Sequence, residues 1–503
     1  MKNFIKKNYK YVIFCLILII VNSYLVYSMR SNIGGKILII APLLLVQVAL
    51  LIICFWLKKK KNWKHHQLFL LFSIVLGSLY VFVMPIGAPP DEVHHFRRAY
   101  EISEGHFVSQ KSDSKDGAGD VLPDSISELF KYDPTQIKYS NYPEIIENSS
   151  NTNSESFQSF NNMALYSPVP YIPQTTGILV GRILHLPMIV IFYIARIFNL
   201  IFWISLLYFA IKYIPIGKTI LCLILLTPVS LQAAASCQAD ALTTAVSISL
   251  IAFVLYKIKN PKLLTKKEKT IAVLLALLIS MSKIVYIPLC FLLFALPTKC
   301  FNSKKDKIIK VLIVLGVVVV LNLIWLAISS GYLIETNPGV NPSGQVGFIL
   351  GHPFSYCLVL IRSLFERGMF YFFSFWGSGL GYFNVSLADP YVLSFVFFAF
   401  YIFFAEGQKQ IKIFLTYQKY VILGIFLTCV LLIFTSIYVQ WTAVASSTVV
   451  GVQGRYFIPI AILPLLLIPP ITKRTRDLSI YAFAAIAAFA TYGLVAYMGT
   501  YIG

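Results

Sequence analysis

The residues with the most chemical possibility stand together in Pro89-Pro90-Asp91-Glu92-Val93-His94-His95-Phe96-Arg97-Arg98. Two acids are followed, within about two helical turns, by two histidines and two arginines. A carboxylate beside a histidine can take a proton, hold a divalent metal or orient a hydroxyl. The two prolines pre-set a helix start. They put Asp91 near the N-cap, where its carboxylate is expected to accept backbone N–H bonds. Capping needs one acid, and this segment supplies Asp91 and Glu92, with His94 and His95 close behind.

Other charges stand where apolar sequence makes them expensive. Asp240 follows Ala235-Ser236-Cys237-Gln238-Ala239 at the edge of an apolar run, and a carboxylate there needs a partner or a function. Lys283 sits alone between two apolar runs. Arg455 follows Gly451-Val452-Gln453-Gly454 and precedes Tyr456. An arginine suits a bidentate grip on phosphate, and the glycines permit close backbone approach. Arg196 and Asn199 fall inside another apolar run, so Arg196 also requires a partner that the sequence does not identify.

The elements that must position these groups are transmembrane helices. The chain is 58% hydrophobic and only 13% charged, where soluble domains carry about a quarter charged residues. Its net charge of +21 is unevenly spread. Residues 88–170 hold 13 acidic and 6 basic side chains, so they are net −7 and the remainder is +28. That remainder lies in short clusters between apolar runs, as topology demands, which argues against a nucleic-acid surface. Apolar runs predict about thirteen crossings, near 11–28, 35–57, 67–86, 187–212, 216–231, 235–257, 269–282, 284–298, 307–329, 390–405, 419–438, 455–470 and 478–500.

Every second connection is basic: Lys58 to Lys61 with Lys64, Lys212 and Lys218, Lys257 to Lys269, Lys299 to Lys307, Lys409 and Lys412, and Lys473 with Arg474 and Arg476. This alternation puts the N-terminus in the cytoplasm of a cell membrane and the C-terminus outside. The fold class is therefore an all-α polytopic membrane protein with a large outer loop carrying interfacial helices. Its expected parts are a helix pair over 1–66, a core over 67–470 and a final helix over 471–503. Outer loops span 88–186, 331–389 and 440–454, and polar residues 111–160 read as partly disordered. The eight scattered cysteines read as small buried hydrophobes.

The motifs resemble the DUF2142 family of bacterial membrane proteins. The likeness rests on Pro-Pro-Asp-Glu-x-x-His at 89–95, Tyr-x-Pro at 171–173 and Ala-Arg-x-x-Asn at 195–199. It continues in Cys237 to Ala241, in Ser-Lys-x-x-Tyr at 282–286 and in Gln-Gly-Arg-Tyr-x-x-Pro at 453–459. That family is similar to the GT-C glycosyltransferases, which have an acid in the first large outer loop and use polyprenyl-phosphate donors. One departure is that two helices precede the crossing that leads into the acidic motif. The resemblance implies an inverting transferase moving sugar from a lipid phosphate to a cell-envelope glycan or lipid-linked acceptor. Asp91 or Glu92 would be catalytic, with His94, His95, Arg196, Asp240, Lys283, Gln453, Arg455 and Tyr456 binding substrate. A divalent metal at the acidic motif stays open. The competing class is a transporter or flippase of lipid-linked glycans, with Arg196 on its path.

Overall fold

The computed structural model describes residues 2–28, 37–111, 117–152, 154–332, 339–406, 414–468 and 476–502. Lys409, Lys412, Lys473 and Arg474 lie outside the described residues. The frame is helical because apolar runs hide their backbone polar groups from lipid only by bonding them within the segment. Eight described helices are long and apolar enough to cross a membrane. They belong to α1 (Lys2–Ser28), α2 (Ile37–Lys60), α3 (His65–Val83), α5 (Met188–Tyr213), α6 (Asp240–Lys259), α8 (Lys304–Ser329), α10 (Thr416–Trp441) and α11 (Ser479–Tyr501). Between them lie α4 (Glu92–Ser103), α7 (Lys266–Ser282) and α9 (Pro353–Trp376). Pro342–Gly351 and α9, bent by 108°, add a ninth crossing if they form one broken span.

Five of the thirteen expected crossings are shorter or broken, and proline accounts for most of the difference. The run 216–231 is two short helices, Lys218–Leu225 and Pro228–Ala234, separated at an extended Thr227. Pro228 offers no N–H to continue the first helix, and it holds the preceding residue extended. The runs 284–298 and 455–470 wind as 3₁₀ helix around Pro288 and Pro459. The first spans 12 residues, about 24 Å at 3₁₀ rise, against a hydrocarbon core of about 30 Å. The runs 269–282 and 390–405 are helices of 17 residues, α7 and Asp389–Ala405.

Residues 111–160, expected to be partly disordered, are largely ordered where described. Strands Gln110–Lys111, Ala118–Pro123 and Glu155–Ser159 form an antiparallel sheet flanked by helices Asp124–Leu129 and Tyr142–Asn151. Leu122, Ile126, Leu129, Ile145 and Phe160 are fully buried. This small core is invisible in the average composition, which Ser, Asn and Asp dominate.

The chain's two ends form one flank. Asn22 of α1 donates to Gln47 Oε1 of α2 at 2.7 Å and to the Ala488 carbonyl of α11 at 2.8 Å, while the Tyr391 hydroxyl donates to Asn22 Oδ1. Nearly all of α11 is buried, and its alanines let neighbouring backbones approach closely. Gly493 faces Pro228 and the Tyr80 hydroxyl in space no Cβ could occupy. Seven of the eight cysteines are buried and all are free; Cys357 is the exposed one.

Candidate functional site

The acidic motif divides at its first two residues. After α3, Gly87 turns the chain at positive φ, and Asp91 takes a left-handed conformation (φ 61°) before α4 begins. Such a residue costs about 1–3 kcal/mol of backbone strain, least for Asp or Asn. The Asp91 carboxylate makes no capping bond, contrary to the sequence expectation. It points instead to Arg455, whose Nη2 lies 3.7 Å from Oδ2.

Glu92 turns the other way, into the protein. Its Oε1 accepts from Arg196 Nε (2.9 Å) and the Cys237 amide (3.0 Å). Its Oε2 accepts from Arg196 Nη2 (2.6 Å) and the Gly87 amide (3.1 Å). Arg196 places its remaining N–H groups on the carbonyls of Val81, Met84 and Pro85. All five guanidinium donors are thereby used. Glu92 has no lone pair left for a substrate proton and Arg196 no donor for a ligand, so both expected roles are corrected to structural ones.

Buried amides build the platform for Asp240. Between Pro228–Ala234 and α6, carbonyls at Ser236, Cys237 and Gln238 have no helical partner. Asn199 Nδ2 donates to Ser236 and Gln238, and Gln174 Nε2 donates to Cys237 and Gln238. Gln238 Nε2 in turn reaches the Pro90 carbonyl at 2.6 Å. Buried backbone groups away from water need such partners. Asp240 then opens α6 beside the acidic motif.

Lys283, at the C-cap of α7, forms an ion pair with Asp240 and stands over the rings of Tyr166 (5.6 Å) and Tyr456 (5.2 Å). Arg455 Nε lies 3.6 Å from Asp240 Oδ2. Four charges from separate elements thus meet: Asp91, Asp240, Lys283 and Arg455. Asp91 is the most exposed, its side chain one-third accessible (33%), against 7% for Arg455. The Arg455 guanidinium is held between two carboxylates, yet its buried Nε and Nη1 have no hydrogen-bond partner. A buried donor without a partner costs about 1–3 kcal/mol, and it marks where a ligand oxygen would be welcome.

The neighbours of these groups are fixed. Tyr286 donates to the Tyr456 carbonyl at 2.7 Å, and Ser167 Oγ donates to the Met281 carbonyl at 2.5 Å. Arg98, paired with Glu101, reaches the carbonyls of Phe107 and Tyr166. His95 is buried, with Nδ1 2.9 Å from the Tyr171 hydroxyl. Burial pushes it down to about 3; Asp240 opposes this, while Lys283 and Arg455 add to it. His95 is therefore neutral at pH 7. His94 is exposed and lies near enough to Asp91 and Arg97 to feel their charges. Gln453 supplies its carbonyl to the Tyr456 amide. Gly454 approaches the Tyr371–Phe375 backbone of α9, where a Cβ would overlap main-chain atoms. Its smallness serves helix packing rather than the phosphate approach expected of it.

The structure thus gathers Asp91, His95, Asp240, Lys283, Arg455 and Tyr456, keeps His94 near Asp91, and turns Glu92 and Arg196 away from them. Sequence reasoning passed over Tyr166, whose only signal was its place before Ser-Pro-Val-Pro-Tyr. The open metal option at the acidic motif finds its candidate ligands dispersed: Glu92 is taken by Arg196, His95 by Tyr171, and His94 faces outward. Among the described residues, the groups that could hold a metal are His65–Glu406–Asp477 and Glu104–His106–Asp120, and neither includes Asp91.

These features define a predominantly helical multi-pass membrane protein with polar chemistry gathered at one end of α3, α6 and α7. The chain belongs to the DUF2142 family, described as a predicted membrane protein, whose model matches residues 72–464. The match takes in every residue of the site and leaves out α1, α2 and α11. No curated protein and no solved structure matches the chain.

Proposed function

We propose that this protein is a GT-C-like membrane glycosyltransferase. It would move a sugar from a polyprenyl-phosphate donor to a cell-envelope glycan or lipid-linked acceptor. The observation that carries the reading is Arg455, buried and ion-paired to Asp240 and to the accessible Asp91, with no hydrogen bond made by its Nε or Nη1. The Nη1 group, which makes no hydrogen bond, can donate to a phosphate oxygen, while Nε faces Asp240. Asp91 accepts the proton of the acceptor hydroxyl as that oxygen attacks the anomeric carbon. The bond from that carbon to the donor's phosphate oxygen breaks, and its electron pair leaves with the lipid phosphate. Arg455, assisted by Lys283, stabilises the charge gathering there. Asp240 holds both cations in place, and Tyr166 and Tyr456 form the walls.

The reading puts the site on the outer face of the cell membrane, with the N-terminus inside, the C-terminus outside and thirteen crossings counting the short and broken ones. The run of charge along the helices supports it. Helix α3 begins beside Lys58–Lys64 and ends at the acidic motif, while α6 begins at Asp240 and ends at Lys257 and Lys259. The transport alternative drew on Arg196 as an intramembrane waypoint, and its donors are all occupied.

The test is sugar transfer by membranes containing the Asp91→Asn protein. Removing a general base lowers turnover about 10²–10⁴-fold, and the thermal midpoint should not change. Full activity in D91N would sink the proposed base. Loss of glycan movement with transfer intact would favour transport.

A further inference from the structure

At the other end of α3, roughly 28 Å from the acidic motif at helical rise, lies a cavity of about 440 Å³. It opens between the end of α2, the start of α3 and the approach to α11. Lys58, Lys59, Trp63, Lys64, His65 and Asp477 line it. Its size is within the usual range of small-molecule pockets, about 300–1,000 Å³. Lys58 and Asp477 neutralise one another at 2.9 Å. Lys59 and Lys64 are exposed and have no ion-pair partner among the described residues, so the lining carries two uncommitted positive charges. Trp63 is half-buried beside them, in the place an indole takes at a membrane interface.

We propose that this cavity seats the phosphate of an anionic phospholipid headgroup. Basic recesses between helix ends on the cytoplasmic side are where such headgroups dock, drawn by the lysines and held by shape. Lys59 and Lys64 receive the phosphate oxygens, while Trp63 meets the glycerol region. The lipid joins α2 and α3 to the Asp477 strap ahead of α11, steadying the helix flank outside the family-matched region. The seat is independent of the sugar chemistry.

The test uses the full-length protein in neutral detergent, titrated with phosphatidylglycerol, phosphatidylcholine or inorganic phosphate. The readouts are the thermal midpoint and lipid retained in native mass spectra. Phosphatidylglycerol should raise the midpoint saturably and stay bound, whereas phosphatidylcholine should not. K59Q/K64Q should weaken the apparent affinity about fivefold per lysine. Both side chains are exposed, so the variant keeps its fold. K60Q/K61Q removes the same charge from the same rim outside the cavity and should leave the affinity unchanged. Equal stabilisation by phosphatidylcholine overturns the proposal. So does an equal loss in K60Q/K61Q, or inorganic phosphate alone reproducing the full shift.

Discussion

Glu92 and Arg196, 104 positions apart, meet in the interior as a two-pronged ion pair: Nε to Oε1 at 2.9 Å and Nη2 to Oε2 at 2.6 Å, both side chains fully buried. The pair stitches the end of α3, the start of α4, the middle of α5 and the Cys237 turn into one junction. Asp91 is the next residue to Glu92, so the junction sets where Asp91 points. Asp240 reaches the same place through Gln238 and Pro90. Two adjacent carboxylates thus face opposite ways, Glu92 into the protein and Asp91 toward Arg455.

Removing one partner of such a pair strands the other charge, at a cost of about 3–5 kcal/mol. Glu92→Gln and Arg196→Met are each expected to lower the thermal midpoint of the purified protein sharply and to reduce yield. Asp91→Asn, one position away, should leave the midpoint near the parent value. A well-folded E92Q would show that the junction tolerates an uncompensated arginine.

Asp240, Lys283 and Arg455 were legible in the sequence because each breaks a pattern: an acid at the mouth of an apolar run, or a cation against the basic-inside trend. The split between Asp91 and Glu92 was not. Consecutive helix positions differ by about 100° in direction, and no spacing rule says which of two adjacent acids turns inward. The left-handed backbone at Asp91 decides it. The crossings were legible as apolar runs but not as lengths, since hydropathy does not separate an α-helix from 3₁₀ turns around Pro288 or from a run cut at Pro228. In the polar 88–186 segment, Leu122, Ile126 and Ile145 make a core through contacts between distant pieces, which polar composition conceals.

Gly454 offers a test of how the arginine is placed. A Cβ there would overlap the Phe375 amide and the Tyr371 carbonyl, and neither main-chain group can rotate aside. Gly454→Ala should push the Gly454–Ile460 turn from α9 and cost about 1–3 kcal/mol, as over-packing does. Since Arg455 is the next residue, any sugar transfer should fall further than the midpoint shift explains. Activity falling only in proportion to folded protein would show that Arg455 does not depend on this contact.

His95 predicts acid lability. In the unfolded chain a histidine titrates near 6.5, and burial beside Lys283 and Arg455 pushes His95 down to about 3. Between those values the unfolded state binds more protons, so stability rises with pH and falls as the medium is acidified. The stability is fully present above about pH 6.5 and is lost at up to ~1.4 kcal/mol per pH unit on the way down. Thermal midpoints measured from pH 7.5 to 4.5 should drop less steeply in His95→Gln than in the parent. Identical slopes would assign the acid sensitivity to other groups.

Arg455→Lys separates the shape of the cation from its charge. The substitution keeps one positive charge beside Asp91 and Asp240 but removes the planar guanidinium, whose Nη1 makes no hydrogen bond. If Nη1 meets a phosphate oxygen as charge leaves the sugar, it forms a charge-assisted bond of about 1.5–3 kcal/mol. Losing it lowers kcat/KM about 10- to 100-fold. The loss should fall mainly on kcat, because the bond strengthens as the leaving phosphate gains charge. Arg455→Met should lose more, having neither fork nor charge. Parent-like kcat in R455K would reduce the arginine to a point charge that a lysine replaces, and the unbonded Nη1 would no longer support a phosphate-leaving reaction at Asp91.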